Sequence, residues 1–186
     1  MGKLILVTGG SRSGKSTYAE NLAKAFEDEV LYIATCVPFD DEMKDRVRKH
    51  RESRPKSWTT YEDYRNLKQV YCKEEISFKC ILLDCITVMI ANLIFDLIGE
   101  NVEELTSEEI NDMEKSILNE IKEFIDTADI NTQTVILVTN EVGSGIIPDN
   151  KLSRIYKDIA GRINQYIASR ADEVYLTVCG IPVKIK

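Results

Sequence analysis

The stretch Gly9-Gly10-Ser11-Arg12-Ser13-Gly14-Lys15-Ser16 follows a short apolar run at residues 4–8. It matches G-x-x-x-x-G-K-[ST], a pattern whose glycines let successive backbone N–H groups point at phosphate oxygens at the start of a helix. The β-branched run before it and the helical pattern over residues 17–26 favour this interpretation over a plain Gly/Ser turn. We expect Lys15 to lie along the β- and γ-phosphates and Ser16 to offer its hydroxyl to Mg²⁺. The pattern therefore predicts a nucleoside triphosphate site.

The composition limits the size and the partners of the protein. With 186 residues, 44% of them hydrophobic, the chain has the length of one domain with a full core. We expect a single P-loop nucleotide-binding domain over residues 1–186. The net charge of -7 argues against nucleic-acid binding, because affinity for a phosphate backbone needs a basic face. A small anionic ligand needs only a local basic site.

Two features bear on location. The 5 cysteines include no C-x-x-C pair and are odd in number, which indicates reduced thiols in a cytoplasmic protein. The longest apolar region, residues 81–98, is interrupted by Asp84, Asn92 and Asp96. We therefore expect no membrane span.

Short β-branched runs alternate with longer helical patterns along the chain. This alternation predicts an α/β fold, a P-loop NTPase-type three-layer domain with a mainly parallel, RecA-like sheet and a C-terminal antiparallel hairpin. Strands are expected over residues 3–8, 30–34, 80–84, 134–139, 173–178 and 183–185. Helices are expected over residues 15–26, 41–51, 86–97, 107–126 and 150–169.

Two segments that follow predicted strands carry candidate site residues, because ligands bind at the carboxyl ends of strands in open α/β sheets. The run 80–84 ends in Asp84, the position from which P-loop proteins hold Mg²⁺, so we expect Asp84 and Ser16 to bind this cation. The run 134–139 is followed by Asn140-Glu141-Val142-Gly143-Ser144-Gly145, whose glycines fit either a close approach to a ligand or a tight turn. Asn140 is not followed by Lys-x-Asp, the guanine-reading motif of regulatory GTPases.

The charge reverses locally over residues 44–56, which contain seven basic and two acidic side chains in an otherwise acidic chain. The only histidine, His50, lies in this segment. A solvated basic helix face with an incidental histidine is the plain alternative. Yet nearby cations disfavour the imidazolium form, which would keep His50 nucleophilic, and they would also neutralise phosphates.

Several spaced motifs together resemble one family, the bifunctional adenosylcobinamide kinase/adenosylcobinamide-phosphate guanylyltransferases of cobalamin biosynthesis. The likeness runs from the first strand to the last residues and is weakest over residues 68–79 and 100–133. The motifs are GGSRSGKST (9–17), VLYIAT (30–35), DDEM (40–43), RVRKHRESRP (46–55), LLDCIT (82–87) with Asn92-Leu93, VTNEVGSGIIP (138–148), DIAGRINQ (158–165) and GIPVKIK (180–186).

The resemblance implies two reactions. In the first, the terminal hydroxyl of the aminopropanol arm of adenosylcobinamide attacks the γ-phosphate of ATP or GTP. In the second, GTP donates GMP to the new phosphate through a guanylylated histidine and releases pyrophosphate. The histidine of the family stretch R-x-x-x-H-R-x-x-R-P matches His50, and a P–N bond keeps the transferred group activated. The family also implies a homotrimer.

The resemblance implies further site residues. Lys15 would be catalytic within the P-loop. Glu62, in the spacing Trp58-x-Thr60-x-Glu62, and Asp84 match the family's nucleotide-binding acids, although composition alone favours a surface glutamate at a helix start for Glu62. The remaining expected nucleotide-binding residues are Ile33, Ala34, Thr35, Arg51, Glu52, Ser53 and Arg54.

Two other functions are compatible with the P-loop. One is a simple small-molecule kinase in which His50 only contacts phosphate, and the other is a non-enzymatic, nucleotide-dependent regulatory module. Covalent labelling from α-labelled GTP separates guanylyl transfer from both, because neither alternative includes that step.

Overall fold

The computed structural model describes residues 2–38, 41–71, 78–98 and 102–186. The strands are β1 (Lys3–Gly9), β2 (Val30–Ala34), β3 (Thr59–Glu62), β4 (Cys80–Asp84), β5 (Thr134–Asn140), β6 (Glu173–Val178) and β7 (Ile181–Lys184). The α-helices are α1 (Lys15–Ala23), α2 (Asp41–Ser53), α3 (Ile86–Leu97), α4 (Ser107–Asn131) and α5 (Lys151–Arg170). Short 3-10 helices span Lys24–Phe26, Leu67–Tyr71 and Val102–Glu104.

Within the described residues the strands form one sheet in the order β3-β2-β4-β5-β1-β6-β7. All neighbouring strands are parallel except β6 and β7, which are antiparallel. The prediction of a mainly parallel α/β sheet with an antiparallel C-terminal hairpin is confirmed.

The main difference from the predicted elements is β3, which the sequence pattern did not reveal. Its four residues, Thr59–Glu62, form an edge strand with no buried side chain, so the strand lacks the apolar alternation by which strands are recognised. Helix α4 continues five residues beyond its predicted end, since Ala128 in that stretch is buried in the core. Strand β7 begins two residues earlier than predicted, at Ile181.

The sheet has a hydrophobic core on each face, because side chains of a strand alternate between the two faces. On one face, Ile33 of β2 packs into a cluster built with α3, α4 and α5. On the other face, Tyr32 and Ala34 pack with Ala19 and Ala23 of α1. This arrangement of helices on both faces is the expected three-layer architecture.

The strand register brings the candidate site residues to one edge of the sheet. Gly9 at the end of β1 pairs with Asn140 at the end of β5. Asp84 at the end of β4 lies beside Val138 of β5 on one side and Ala34 of β2 on the other. The P-loop, the acid and the segment after β5 therefore meet at the carboxyl edge, where ligands of such sheets bind.

Two further expectations concerned membranes and cysteines. In the described part of the chain, no helix combines the length and apolar character needed to cross a membrane. Cys36, Cys80, Cys85 and Cys179 form no disulfide within the described part of the chain, and Cys72 lies outside it.

Candidate functional site

A cleft of about 460 Å³ opens at the carboxyl edge of the sheet. Its walls come from the P-loop and α1, from the ends of β2, β4 and β5, and from the α2 region, so distant parts of the sequence share it. The lining residues are Ser11, Lys15, Ser16, Tyr32, Ala34, Cys36, Val47, Arg54, Asp84, Cys85, Val88, Asn140, Glu141 and Val142.

The P-loop joins β1 to α1 and presents its lysine to the cleft. Gly14 precedes the helix with a left-handed φ of 92°, a conformation that favours glycine. Lys15 is the first helical residue, is only 8% exposed, and donates a hydrogen bond from Nζ to the carbonyl oxygen of Gly10 at 3.0 Å. The turn between β6 and β7 also contacts the loop, since the Gly180 N–H donates to the Ser13 carbonyl at 2.8 Å. The loop is thus held in shape by the protein itself.

The space around Gly9 and Gly10 of the P-loop differs, so glycine is needed at the two positions for different reasons. A Cβ atom on Gly9 would lie 2.5 Å from the backbone oxygen of Thr177, whereas a Cβ on Gly10 would meet no heavy atom within 4 Å. Packing therefore requires glycine at position 9. The open space at position 10 is compatible with a backbone that a ligand approaches closely.

This contrast predicts opposite results for two alanine variants. Gly9→Ala should lower the free energy of unfolding by about 1–3 kcal/mol, because the added methyl group meets backbone that cannot easily move. Gly10→Ala should leave the unfolding transition unchanged and weaken nucleotide binding instead. Thermal unfolding and nucleotide titration of both variants measure the two effects, and equal melting temperatures for the pair would contradict the packing argument.

Asp84 lies in the cleft with Lys15 and Ser16 and is oriented by a buried tyrosine. The hydroxyl of Tyr32 donates to Asp84 Oδ2 at 3.1 Å. Burial, together with the Asp84 charge, raises the pKa of Tyr32 well above its usual range, so the phenol stays protonated and remains a donor. This contact restrains the Asp84 carboxylate on the cleft wall.

The segment 33–35 contributes to the site in three different ways. Ala34 lines the cleft, whereas the Ile33 side chain lies in the core on the opposite face of the sheet and leaves only backbone for a ligand. Thr35 fixes the backbone after β4, because its hydroxyl donates to the Cys85 carbonyl at 2.8 Å and accepts from the Cys85 N–H at 3.0 Å.

Arg54 reaches the cleft over the face of Tyr32, with its guanidinium carbon 3.4 Å from the ring centroid. Its Nε and Nη1 are shielded from solvent and hydrogen-bonded to nothing in the described residues. Donors placed in this way suit an anion, because guanidinium groups recognise phosphate oxygens through their N–H groups.

Glu20 of α1 is a buried acid near this cluster that sequence reasoning missed. Its side chain is 7% exposed, and burial raises its pKa while the charge of Arg54 opposes the rise. Its spacing in the sequence could have revealed it, because Glu20 follows Ser16 by four residues and therefore lies on the same side of α1. Tyr32 was missed as well, because an aromatic residue within an apolar strand is ordinarily core.

Arg51 and Glu62 are brought together, and neither is among the described residues that line the cleft. Arg51 donates from Nε to Glu62 Oε1 at 3.0 Å, and its Nη2 contacts the same oxygen. Glu62 is exposed, as the alternative of a surface glutamate expected, but it is the last residue of β3 and does not start a helix. Glu52 accepts from Arg48 at 2.8 Å on the surface of α2. These residues therefore form ion pairs of their own in this structure.

His50, the predicted nucleophile, belongs to α2. His50 is within this helix and follows the cleft-lining residue Val47 by three residues, a spacing that puts two positions on the same side of a helix. The side chains of His50 and Ser53 lie outside the described residues.

The segment after β5 contributes Asn140, Glu141 and Val142 to the cleft. Its backbone is hydrogen-bonded to the start of the P-loop, since the Glu141 N–H donates to the Gly9 carbonyl at 3.0 Å. The Glu141 carboxylate accepts from the Gly143 N–H at 2.6 Å and forms a tight turn. The turn at Gly143 fits the tight-turn alternative for this segment, and a close approach of its glycines to a ligand stays a prediction.

Known proteins are similar to this chain over its whole length. It is 48% identical over 183 residues to the bifunctional adenosylcobalamin biosynthesis protein CobU of Salmonella typhimurium, covering 98% of this chain and 99% of that protein. The Escherichia coli protein of the same name is 44% identical over 183 residues, with the same coverage. The bifunctional adenosylcobalamin biosynthesis protein CobP of Pseudomonas aeruginosa is 37% identical over 181 residues, covering 97% of this chain and 96% of that protein.

Two solved structures of low sequence identity have a similar fold. The flagellar accessory protein FlaH of Methanocaldococcus jannaschii has a TM-score of 0.50 at 16% identity, with 99% of this chain and 78% of that chain covered. A prototypical ATPase from the type III secretion system of pathogenic bacteria has a TM-score of 0.57 at 14% identity, and this chain spans 57% of its length. These likenesses concern the fold alone and agree with the predicted α/β architecture.

The family follows from the sequence comparisons. Residues 5–185 match the family described as cobinamide kinase / cobinamide phosphate guanyltransferase. This match confirms the family that the spaced motifs predicted, and it extends over both weakly similar segments. The chain belongs to the cobinamide kinase / cobinamide phosphate guanyltransferase family.

Proposed function

We propose that this protein phosphorylates the aminopropanol hydroxyl of adenosylcobinamide with ATP or GTP and then transfers GMP from GTP to the phosphorylated corrinoid. The observation that carries the proposal is the convergence of Lys15, Ser16, Arg54 and Asp84 on one cleft in a chain of this family. Such a set of cations, hydroxyl and carboxylate suits a triphosphate with a divalent cation.

In the kinase step, the corrinoid hydroxyl oxygen forms a bond to the γ-phosphorus, and the bond between that phosphorus and the β–γ bridging oxygen breaks. The nucleoside diphosphate leaves, and the hydroxyl proton passes to solvent. Lys15 and the P-loop N–H groups stabilise the charge on the transferred group, which needs positioning more than covalent chemistry. The protein-held shape of the loop supports this role, because preorganised donors need no rearrangement as charge develops.

In the guanylyl step, an imidazole nitrogen of His50 attacks the α-phosphorus of GTP, and pyrophosphate leaves as the α–β bridging bond breaks. A phosphate oxygen of the phosphorylated corrinoid then attacks the same phosphorus, the P–N bond breaks, and the imidazole is regenerated. The position of residue 50 one turn from Val47 supports this role, as does the reach of Arg54 into the cleft.

The donor set of the cleft fits Mg²⁺. The Ser16 hydroxyl and the Asp84 carboxylate line the same cleft, and oxygen atoms are the ligands this cation prefers. In the described residues, no group of three or more His, Cys, Asp or Glu side chains is placed to hold a metal ion. Mg²⁺ in triphosphate sites commonly takes phosphate oxygens and one or two protein oxygens as ligands. When bound, Mg²⁺ neutralises charge on the phosphates.

Asp84→Asn should raise the Mg²⁺ concentration needed for half-maximal kinase activity about tenfold, because a neutral amide is a poorer ligand for a hard cation. A Mg²⁺ titration of activity measures the shift. Asp96→Asn is the matched control, since Asp96 forms a surface ion pair with Arg65, and its titration should be unchanged. An unchanged titration for Asp84→Asn would assign that acid a structural role only.

The proposed function is tested by incubating the purified protein with adenosylcobinamide and GTP and separating the corrinoid products by mass. The expected products are the phosphate and the GDP-linked corrinoid. A product that stops at the phosphate would indicate a simple kinase, and an unmodified corrinoid would indicate a nucleotide-binding module.

The proposal also covers the domain organisation, the location, the partners and the oligomeric state. Residues 1–186 act as one P-loop domain, located in the cytoplasm, without a nucleic-acid partner. The chain works as a homo-oligomer, and the trimer is the state that family resemblance implies. Exposed apolar side chains at Phe95 and Leu97, near the end of α3, support self-association, because such groups favour burial between subunits.

A further inference from the structure

Asn140 lies in the middle of the cleft wall, and the reactions proposed above assign it no role. It ends β5, the strand that lies between β1 and β4, and it pairs in register with Gly9, where the P-loop begins. Its side chain is half-buried and lines the cleft with Lys15 and Asp84. Asn140 thus lies between the phosphate-binding loop and the acid.

The Asn140 amide nitrogen is hydrogen-bonded to the hydroxyl of Thr87 on α3. Thr87 Oγ1 accepts from the Asn140 backbone N–H at 3.3 Å and from Asn140 Nδ2 at 2.8 Å. These two bonds can use both acceptor sites of the hydroxyl, and Cys85 Sγ lies 3.2 Å away as a partner for its proton. The amide nitrogen therefore faces Thr87 with one hydrogen and keeps a second hydrogen for another acceptor.

The Asn140 backbone is held equally firmly from the other side, by α5. Asn164 Nδ2 donates to the Asn140 carbonyl at 3.1 Å, and Asn164 Oδ1 accepts from the Thr139 hydroxyl at 2.7 Å. Asn140 is consequently held at its backbone by Asn164 and at its amide by Thr87, and it lines the cleft. A donor held in this way before a ligand binds is suited to stabilising charge that develops on the ligand.

We propose that Asn140 donates its second Nδ2 hydrogen to an oxygen of the terminal phosphate of the bound nucleoside triphosphate, and that Thr87 is the residue that positions it. The P-loop backbone cradles the α- and β-phosphates, and its lysine reaches the β- and γ-phosphates. Asn140 lies beyond the loop toward Asp84, so the terminal phosphate is the group within its reach. The inference rests on the proposed nucleotide chemistry of this cleft and deepens it.

This contact makes a specific prediction about nucleotide length. Asn140→Ala should weaken binding of the non-hydrolysable triphosphate AMP-PNP about tenfold and leave ADP binding unchanged, because only the triphosphate offers the terminal group. Kinase kcat should fall about 10²-fold, the usual effect of removing one preorganised donor. Asn140→Asp keeps the size of the side chain and should weaken AMP-PNP further, since a carboxylate repels phosphate and cannot donate.

The positioning role of Thr87 is tested separately. Thr87→Val removes the hydroxyl and should reproduce part of the loss for AMP-PNP, whereas Thr87→Ser keeps the hydroxyl and should restore binding. Asn119→Ala is the control, because Asn119 is an exposed asparagine on α4 that donates to Glu123. Its affinity for both nucleotides should equal that of the unmodified protein.

Calorimetric titration with AMP-PNP and with ADP is the deciding measurement, accompanied by thermal unfolding of each variant. Equal weakening of both nucleotides in Asn140→Ala and Asn140→Asp would assign Asn140 a structural role and overturn the proposal, as would unchanged affinity for both. These titrations need no corrinoid. A failure of the corrinoid reactions would therefore leave this test intact and would count against the proposed function alone.

Discussion

His50→Ala is expected to abolish guanylyl transfer and covalent labelling from α-labelled GTP while kinase activity is retained. Transfer of the γ-phosphoryl group to a hydroxyl needs positioning and charge stabilisation by the P-loop, with no covalent intermediate. Attack on the α-phosphorus is assigned to the imidazole, and removing a nucleophile removes that step altogether. His50 is the only histidine of the chain, so no second imidazole replaces it.

The measurement is autoradiography of the protein after incubation with α-labelled GTP, with corrinoid products analysed in parallel. In the unmodified protein the label should be acid-labile and alkali-stable, as expected for a phosphoramidate and opposite to an acyl phosphate. Arg48→Ala is the control on the same helix, because Arg48 pairs with Asp45 and Glu52 on the surface, and its labelling should persist. A labelled His50→Ala protein that still makes the GDP-linked corrinoid would place the nucleophile elsewhere.

Lys15→Ala is expected to lower kinase turnover by about 10²–10³-fold, the scale for loss of one preorganised charge-stabilising group. The Lys15 ammonium group donates to the Gly10 carbonyl inside the cleft. A bound triphosphate would there take the place of the water that the buried ammonium group has lost. Guanylyl transfer should fall as well, since both reactions use the same triphosphate site in our proposal. Ser16→Ala should also impair phosphoryl transfer, through loss of a Mg²⁺ ligand.

Steady-state kinetics with saturating adenosylcobinamide measure the effect of Lys15→Ala. Lys24→Ala is the matched control at the end of α1, because Lys24 is exposed and donates to Asn21 on the surface. Its turnover should equal that of the unmodified protein, and both variants should unfold in transitions like the native one. Normal turnover in Lys15→Ala would contradict the P-loop assignment.

The fold class could be predicted because its signals are local. The run before Gly9, the loop itself and the helix after Lys15 are contiguous, so the pattern of a strand, a phosphate loop and a helix needs no knowledge of distant contacts. The same holds for Asp84 at the end of a fully apolar run. The edge strand β3 escaped prediction because its exposed residues carry no burial pattern.

The site was predictable only in part, because several of its contacts join residues far apart in sequence. Tyr32 meets Asp84 and Arg54 because β2 lies next to β4 and the α2 region returns over β2. Thr87 meets Asn140 because β5 lies next to β4. No spacing rule links these positions, since strand order alone makes them neighbours.

The amino-acid sequence by itself determined the α/β class, the P-loop, the acid at Asp84 and the family, because periodicity and contiguous motifs encode each of these. The tertiary structure decided which side chains face the cleft. Alternation along β2 predicts two faces, but only packing against α1 on one side and α3, α4 and α5 on the other places Ala34 at the cleft and Ile33 in the core. The physical reason is that burial against particular partners selects the face, and those partners come from distant parts of the chain.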